Sequence, residues 1–284
     1  MSLQLVALLT NVGLAVLKFT VAVLSGSRAL LADAFNSAGD VFATFVAWVA
    51  FRIGRVPADD DHHYGHENAE ALGGLVLGVM LCATGGFICL EGVRAWFEET
   101  HEVAPQAMAL WAAAVTGVVK EALYRASIRV GQRTNSPTLL ASARDHRADV
   151  VTSAVAFVGI LLARAGHPRV DDLAGGLIGI YILALGAKPV RDNLRVLMAG
   201  APPDVAAMAA WHAARADGVR AVGRVQVLPM GGRYQVDLVL EVDGHLTVAE
   251  GHEIAHRAEE AIRRAMPGVT AVRVHVEPRD AHAA

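Results

Sequence analysis

Two stretches of twelve residues hold the side chains of this sequence best suited to chemistry, LLADAFNSAGDV (Leu30 to Val41) and LLASARDHRADV (Leu139 to Val150). They superpose without a gap, matching at Leu, Leu, Ala, a later Ala and the closing Asp-Val, so that Asn36 falls on Asp145 and Asp40 on Asp149. Each copy thus carries a polar pair at i and i+4, which a helix places on one face, a turn apart. Asn36, Asp40, Asp145 and Asp149 offer one amide carbonyl and three carboxylates, all hard oxygen donors of the kind a divalent cation takes. The same carboxylates can accept protons once a cation leaves, because desolvation disfavours their charged form. A plain polar contact between helices is the alternative, but it leaves the matched register of the two copies without a reason.

Both stretches run into apolar sequence, where a carboxylate at a helix centre costs about 2.5 to 3.5 kcal/mol on insertion scales. The chain has 284 residues, 54% of them hydrophobic and 19% charged, with a mean hydropathy of +0.40. Apolar runs of about 20 residues predict six transmembrane helices: Leu3–Leu24, Ala29–Ile53, Ala71–Val93, Gln106–Val130, Leu139–Ala163 and Leu173–Val190. The class is therefore a polytopic α-helical membrane protein, with the lipid bilayer as its solvent. The opening run is long enough to span and has no A-x-A cleavage pattern after it, so it reads as a span and not as a cleavable signal. A net charge of −3, with basic residues at span ends instead of in a patch, argues against nucleic acid as a partner. Cys82 and Cys89, seven apart in an apolar run, read as packing thiols.

Arg52 and Arg55, then Arg125, Arg129 and Arg133, then Lys188, Arg191 and Arg195 mark alternate span ends, and Glu98, Glu99 and Glu102 mark an opposite one. The positive-inside rule then puts both termini in the cytoplasm, in a cell (inner) membrane. That topology sends the second span inward and the fifth outward, so the two similar stretches run antiparallel as an inverted repeat. Their polar pairs lie roughly 12 to 18 Å into the spans, near mid-bilayer.

Residues 1–200 form the expected transmembrane domain and residues 201–284 a cytoplasmic one, joined through Ala201-Pro202-Pro203. Asp204–Ala216 suits a helix, Val222–Leu228 and Tyr234–Val242 suit strands joined at Gly231-Gly232, and Val269–Glu277 suits a last strand. Thr247 and Glu250 make a capping box that opens a helix to about Met266. The order α-β-β-α-β fits a small ferredoxin-like α+β domain. Between the second and third spans, His62 and His66 lie four apart with Asp59 just upstream, a set able to hold a borderline cation such as zinc. Without an ion the same segment is a solvated charged loop. Glu67 and Glu70 are read as partners of nearby arginines, and His101, His167, His212, His256 and His282 as surface residues.

The segments SGSRALLADAFNSAGD, DDDHHYGHENAE, LLASARDHRADVVTSAVAFVGI, VDGHLTVAEGHEIA and VHVEP together resemble the cation diffusion facilitator family, divalent-metal/proton antiporters, over nearly the whole length. The resemblance implies a non-enzymatic homodimer with six membrane helices per chain, a metallochaperone-like cytoplasmic domain, and metal efflux driven by proton entry. It implies the transport site at Asn36, Asp40, Asp145 and Asp149, a secondary site at Asp59, His62 and His66, and ligands in the cytoplasmic domain at His252, His275 and Glu277, with His245 a helper. Two positions that carry histidine in some relatives are Gly223 and Val239 here, which leaves that last set short.

Zinc-transporting relatives place histidine where this chain has Asp145, and its own histidine follows one residue later, at His146. His146 and Asp149 are i,i+3 and offer a rival register. The ungapped repeat favours Asp145 and leaves His146 about 100° round the helix. An oxygen-only set tilts the expected cargo to Mn2+, with Zn2+, Fe2+, Co2+ and Ni2+ as alternatives; the resemblance points the same way. A membrane metal sensor needs no matched acidic pairs at mid-membrane, and an intramembrane aspartyl hydrolase has no use for Asn36 in the set.

Overall fold

The structure, a computed structural model, describes residues 3–97, 105–134 and 137–279. Glu98, Glu99, His101, Glu102 and His282 lie outside the described residues. Six long helices come first: α1 Leu3–Ser25, α2 Arg28–Gly54, α3 Ala69–Phe97, α4 Ala107–Thr134, α5 Pro137–Arg164 and α6 Arg169–Leu197. All six are long and apolar enough to cross a membrane, as the apolar runs predict. Most extend beyond those runs into polar sequence. In α6 the first turn begins at Arg169 and includes Asp171 and Asp172, where carboxylates are favoured by the N-terminal end of the helix dipole.

The helices wear their apolar residues outside. On α1, Leu9, Val16 and Val23 recur every seven residues and are exposed, while Leu14, Lys18 and Ala22 on another face are buried. On α5 the buried stripe runs Ala143, His146, Asp149, Ser153, Ala156, Ile160 and Ala163. Lipid tails are as apolar as leucine, so exposed leucine and valine cost nothing there and the interior is free for small and polar residues.

The chain divides into two compact units, residues 1–46 with 76–190, and residues 47–75 with 191–284. In the first, α1 turns into α2 at Gly26, whose φ of 70° suits glycine. Ser27 Oγ accepts the Leu30 N–H at 3.1 Å and donates to Asp171 Oδ1 at 2.7 Å, while Asp171 Oδ2 accepts the Arg28 N–H at 2.6 Å. A carboxylate from α6 thereby caps α2. Helices α3 and α6 run antiparallel in close contact at glycines seven apart on α3: a Cβ on Gly85 would sit 2.5 Å from the Leu183 nitrogen, one on Gly78 2.8 Å from the Val190 nitrogen, and one on Gly92 3.0 Å from the Gly176 Cα. Cys82 and Cys89, on the same helix, are free thiols.

In the second unit, α7 Pro203–Ala213, β1 Ala221–Met230, β2 Arg233–Asp243, α8 Val248–Ala265 and β3 Val269–Arg279 follow in order. The sheet order is β1-β2-β3, with β2 antiparallel to β1 and parallel to β3. Helix α8 makes the crossover that a parallel pair requires, and the Thr247–Glu250 capping box is formed at its start. Val236, Leu238 and Leu240 point from one face of β2 into a core shared with Ala258 and Ile262 of α8. The strand β1 runs past the expected Leu228 through Pro229 to Met230, which an edge strand tolerates because proline has no N–H to give the ladder. This is the small ferredoxin-like α+β architecture.

Gly85→Ala should lower the thermal midpoint of the purified protein, since overpacking typically costs about 1 to 3 kcal/mol. Gly86→Ala, whose Cβ meets nothing within 4 Å, is the control and should be neutral. Equal midpoints would show that the two backbones do not approach so closely.

Candidate functional site

Helices α2 and α5 lie side by side. Asn36 Nδ2 donates to Asp149 Oδ1 at 3.0 Å, and Thr152 Oγ1 donates to Asp33 Oδ1 at 3.0 Å. A step of three residues back along α2 thus meets a step of three forward along α5, so the helices are antiparallel, as an inverted repeat requires. Continued by one turn, the same register brings Asp40 toward Asp145. Asp40 interacts electrostatically with Asp149, Lys120, Asp145 and Lys18, and Asp145 with Asp149 and Lys120. Burial is graded: Asn36 and Asp149 are buried, Asp40 is intermediate and Asp145 is exposed. The four residues singled out in the sequence are therefore neighbours.

Two lysines complete the site, and sequence reasoning passed over both. Lys18 of α1 and Asp33 of α2, each fully buried, form an ion pair at 2.7 Å. The same ammonium donates to Ser37 Oγ at 2.9 Å and to Ser153 Oγ at 3.4 Å. Ser153 in turn donates to Asp33 Oδ2 at 2.9 Å. All three donors of Lys18 are thereby used, and α1, α2 and α5 are tied together. Lys120 of α4 reaches Asp149 Oδ2 at 2.6 Å, with side chains 1% and 6% exposed. The available signal was a charge within an apolar run: a buried cation in a span is as costly as a buried anion and points to a partner.

His146, expected to fall outside the ligand face, is buried, and neither ring nitrogen has a hydrogen-bond partner among the described residues. A rotation of 100° does not bring it to the surface: α5 packs against α4 as well as α2. The ring interacts electrostatically with Lys120 and Asp149.

In the second unit, Asp59, His62 and His66 place one ligand atom each within 4.8 Å of one another, alone in doing so among the described His, Cys, Asp and Glu residues. Asp59 Oδ1 lies 3.2 Å from His62 Nδ1, and Asp59 Oδ2 3.6 Å from His66 Nε2. The His62 backbone N–H, which donates to Asp59 Oδ1 at 2.7 Å, holds the Asp59 carboxyl below the usual carboxylate range. The loop is braced by Asn68 Oδ1, which accepts the Gly231 N–H at 3.1 Å, and by Glu67, which pairs with Arg233 at 3.3 Å. His252, His275 and Glu277 are exposed; His275 lies 3.6 Å from Glu277, while His252 packs against His256. Gly223 and Val239 face one another across β1 and β2, adding no donor.

The chain matches the cation efflux transmembrane domain over residues 4–198 and the cytoplasmic domain of cation efflux proteins over residues 205–279. It is 31% identical over 282 residues to the manganese efflux system protein MneP of Bacillus subtilis, covering 96% of this chain and 94% of that one. Identity to the uncharacterized transporter YdbO of the same organism is 33% over 267 residues, covering 94% and 91%. The magnetosome protein MamB of Paramagnetospirillum magneticum is 28% identical over 279 residues, covering 98% and 94%.

Asp33→Asn would leave the Lys18 ammonium buried without its counter-charge, and breaking such a pair from one side costs about 3 to 5 kcal/mol. A large fall in the thermal midpoint is expected. An unchanged midpoint would show that the pair does not hold the three helices.

Proposed function

The chain belongs to the cation efflux family, and from that premise we propose that it exports a divalent transition metal, manganese foremost, from the cytoplasm in exchange for protons. The observation that carries this is a charge count. Asp33, Asp40, Asp145 and Asp149 bring four negative charges to the cluster and Lys18 and Lys120 bring two positive ones, which leaves two negative charges. One divalent cation neutralises that remainder, and so do two protons. The cluster can alternate between the two cargoes at constant charge, as an antiporter between cytoplasm and exterior requires.

The donors set the preference. Asn36, Asp40, Asp145 and Asp149 present oxygen alone, whereas zinc favours nitrogen and sulfur in a four-coordinate cage. Manganese accepts oxygen donors and six-coordination completed by water. The likeness to a manganese efflux protein supports the same cargo. Graded burial gives the ion a route, first to exposed Asp145, then Asp40, then Asp149. Asp59, His62 and His66 fit a resident borderline cation, with two ring nitrogens and a carboxylate as ligands and water as the fourth. His252, His275 and Glu277 are a weaker set without histidine at the Gly223 and Val239 positions. The protein works as a homodimer in the cell membrane, with both termini cytoplasmic, as its arginine pattern indicates.

Proteoliposomes with an imposed pH gradient and a panel of divalent ions test the proposal. Asp40→Ala and Asp149→Ala should each abolish metal flux while expression and dimerisation persist; flux near wild type in either would sink the site. Asp145→His should shift preference from manganese toward zinc, and an unaltered preference would remove the basis for the manganese reading.

A further inference from the structure

The two buried lysines are held differently. Lys18 uses every donor on fixed partners from its own network, whereas the hydrogen bond recorded for Lys120 among the described residues is the one to Asp149 Oδ2 at 2.6 Å. That oxygen belongs to the most buried of the three carboxylates offered to the cargo. An ammonium seated there competes with a divalent cation for the same carboxylate, because like charges at close range repel strongly in a medium of low effective dielectric. When the ion arrives, Lys120 needs another acceptor. His146 supplies one: it is 4% exposed, both its ring nitrogens lack hydrogen-bond partners among the described residues, and it interacts electrostatically with Lys120. Buried polar groups are nearly always hydrogen-bonded, and a neutral imidazole keeps one acceptor nitrogen, complementary to a lysine that only donates. His146 is three residues from Asp149 on the same buried stripe of α5, about 4.5 Å along the helix, a shift that a four-carbon stem can make by rotation.

We propose that Lys120 is a tethered counter-ion to the transported cation, seated on Asp149 in the empty site and received by His146 when the ion binds. The ammonium stays charged throughout and changes partner. It competes with the ion for Asp149 and so weakens binding, and its return helps to expel the ion. Lys120 is thus a positioning residue that sets the balance between affinity and release. The inference rests on the reading of Asp149 as a ligand.

Calorimetry of Mn2+ binding to the full-length protein in detergent, alongside Mn2+ flux in proteoliposomes, tests it with Asp149→Asn, Lys120→Met, Lys120→Arg and His146→Leu. Asp149→Asn should abolish binding. Lys120→Met should bind Mn2+ at least about tenfold more tightly, with KM and maximal flux falling together, and Lys120→Arg should return affinity toward wild type. His146→Leu should weaken binding several-fold alone but not when combined with Lys120→Met, a coupling that a double-mutant cycle measures. If Asp149→Asn abolishes binding while Lys120→Met leaves affinity unchanged or weaker, the counter-ion is overturned and the site stands. If Asp149→Asn binds like wild type, the site reading itself falls, and the counter-ion with it. Should Lys120→Met fail to fold, His146→Leu decides alone: unchanged Mn2+ affinity there overturns the proposal.

Discussion

Placing charge in the interior of a membrane bundle is the constraint on which the rest of this structure depends. An uncompensated carboxylate or ammonium at that depth costs several kcal/mol, so each of the two buried lysines has a carboxylate within hydrogen-bonding distance, and buried Asp171 is held by the Ser27 hydroxyl and backbone N–H groups. Lys18 with Asp33 and Lys120 with Asp149 join α1 to α2 and α4 to α5. The two pairs are not equivalent. The first is closed by Ser37, Ser153 and Thr152 and behaves as a bolt. The second involves the carboxylate proposed as a ligand of the cargo, and Lys120 is proposed to leave it when the ion binds.

The antiparallel register of α2 and α5 gives the cluster its symmetry. By sequence, Asn36 corresponds to Asp145 and Asp40 to Asp149; in space, Asn36 pairs with Asp149. Exchanging each residue for its counterpart in the other repeat turns the Asn36–Asp149 contact into an Asp145–Asp40 contact. That is the behaviour of a local two-fold axis lying between the helices, which brings two polar residues from each of only two elements into one neighbourhood. It also explains why a single ungapped alignment of twelve residues could nominate all four.

Much of this was legible because each signal was local. Apolar runs near 20 residues mark spans, Thr247 with Glu250 marks a helix start, and paired i,i+4 oxygens mark a face. The roles of Lys18, Lys120 and His146 depend on partners up to 135 residues away, and periodicity alone carries no such information. Lys18 and Lys120 could still have been flagged as charges inside apolar runs. His146 could not: it misses the ligand face by 100°, and only its burial in the fold shows that its side of the helix is interior as well.

A transporter for manganese faces a particular difficulty, since manganese lies at the weak end of the affinity order for divalent first-row metals. A tight, fully formed cage would hold zinc or copper better and release neither. The arrangement here is open: the three carboxylates are not drawn within 4.8 Å of one another, Asp145 is exposed, and Asp149 is shared with Asn36 and Lys120. Such a site would suit a hard ion through oxygen charge and spare coordination for water, without the nitrogen and fixed tetrahedron that favour zinc. The proposed nitrogen donors are instead His62 and His66, beside the Asp59 carboxylate on a loop outside the spans, where a held ion would not have to be released on each cycle. Under the proposed function, separating the two donor chemistries between the bundle and the loop would let one chain retain one kind of ion while passing another.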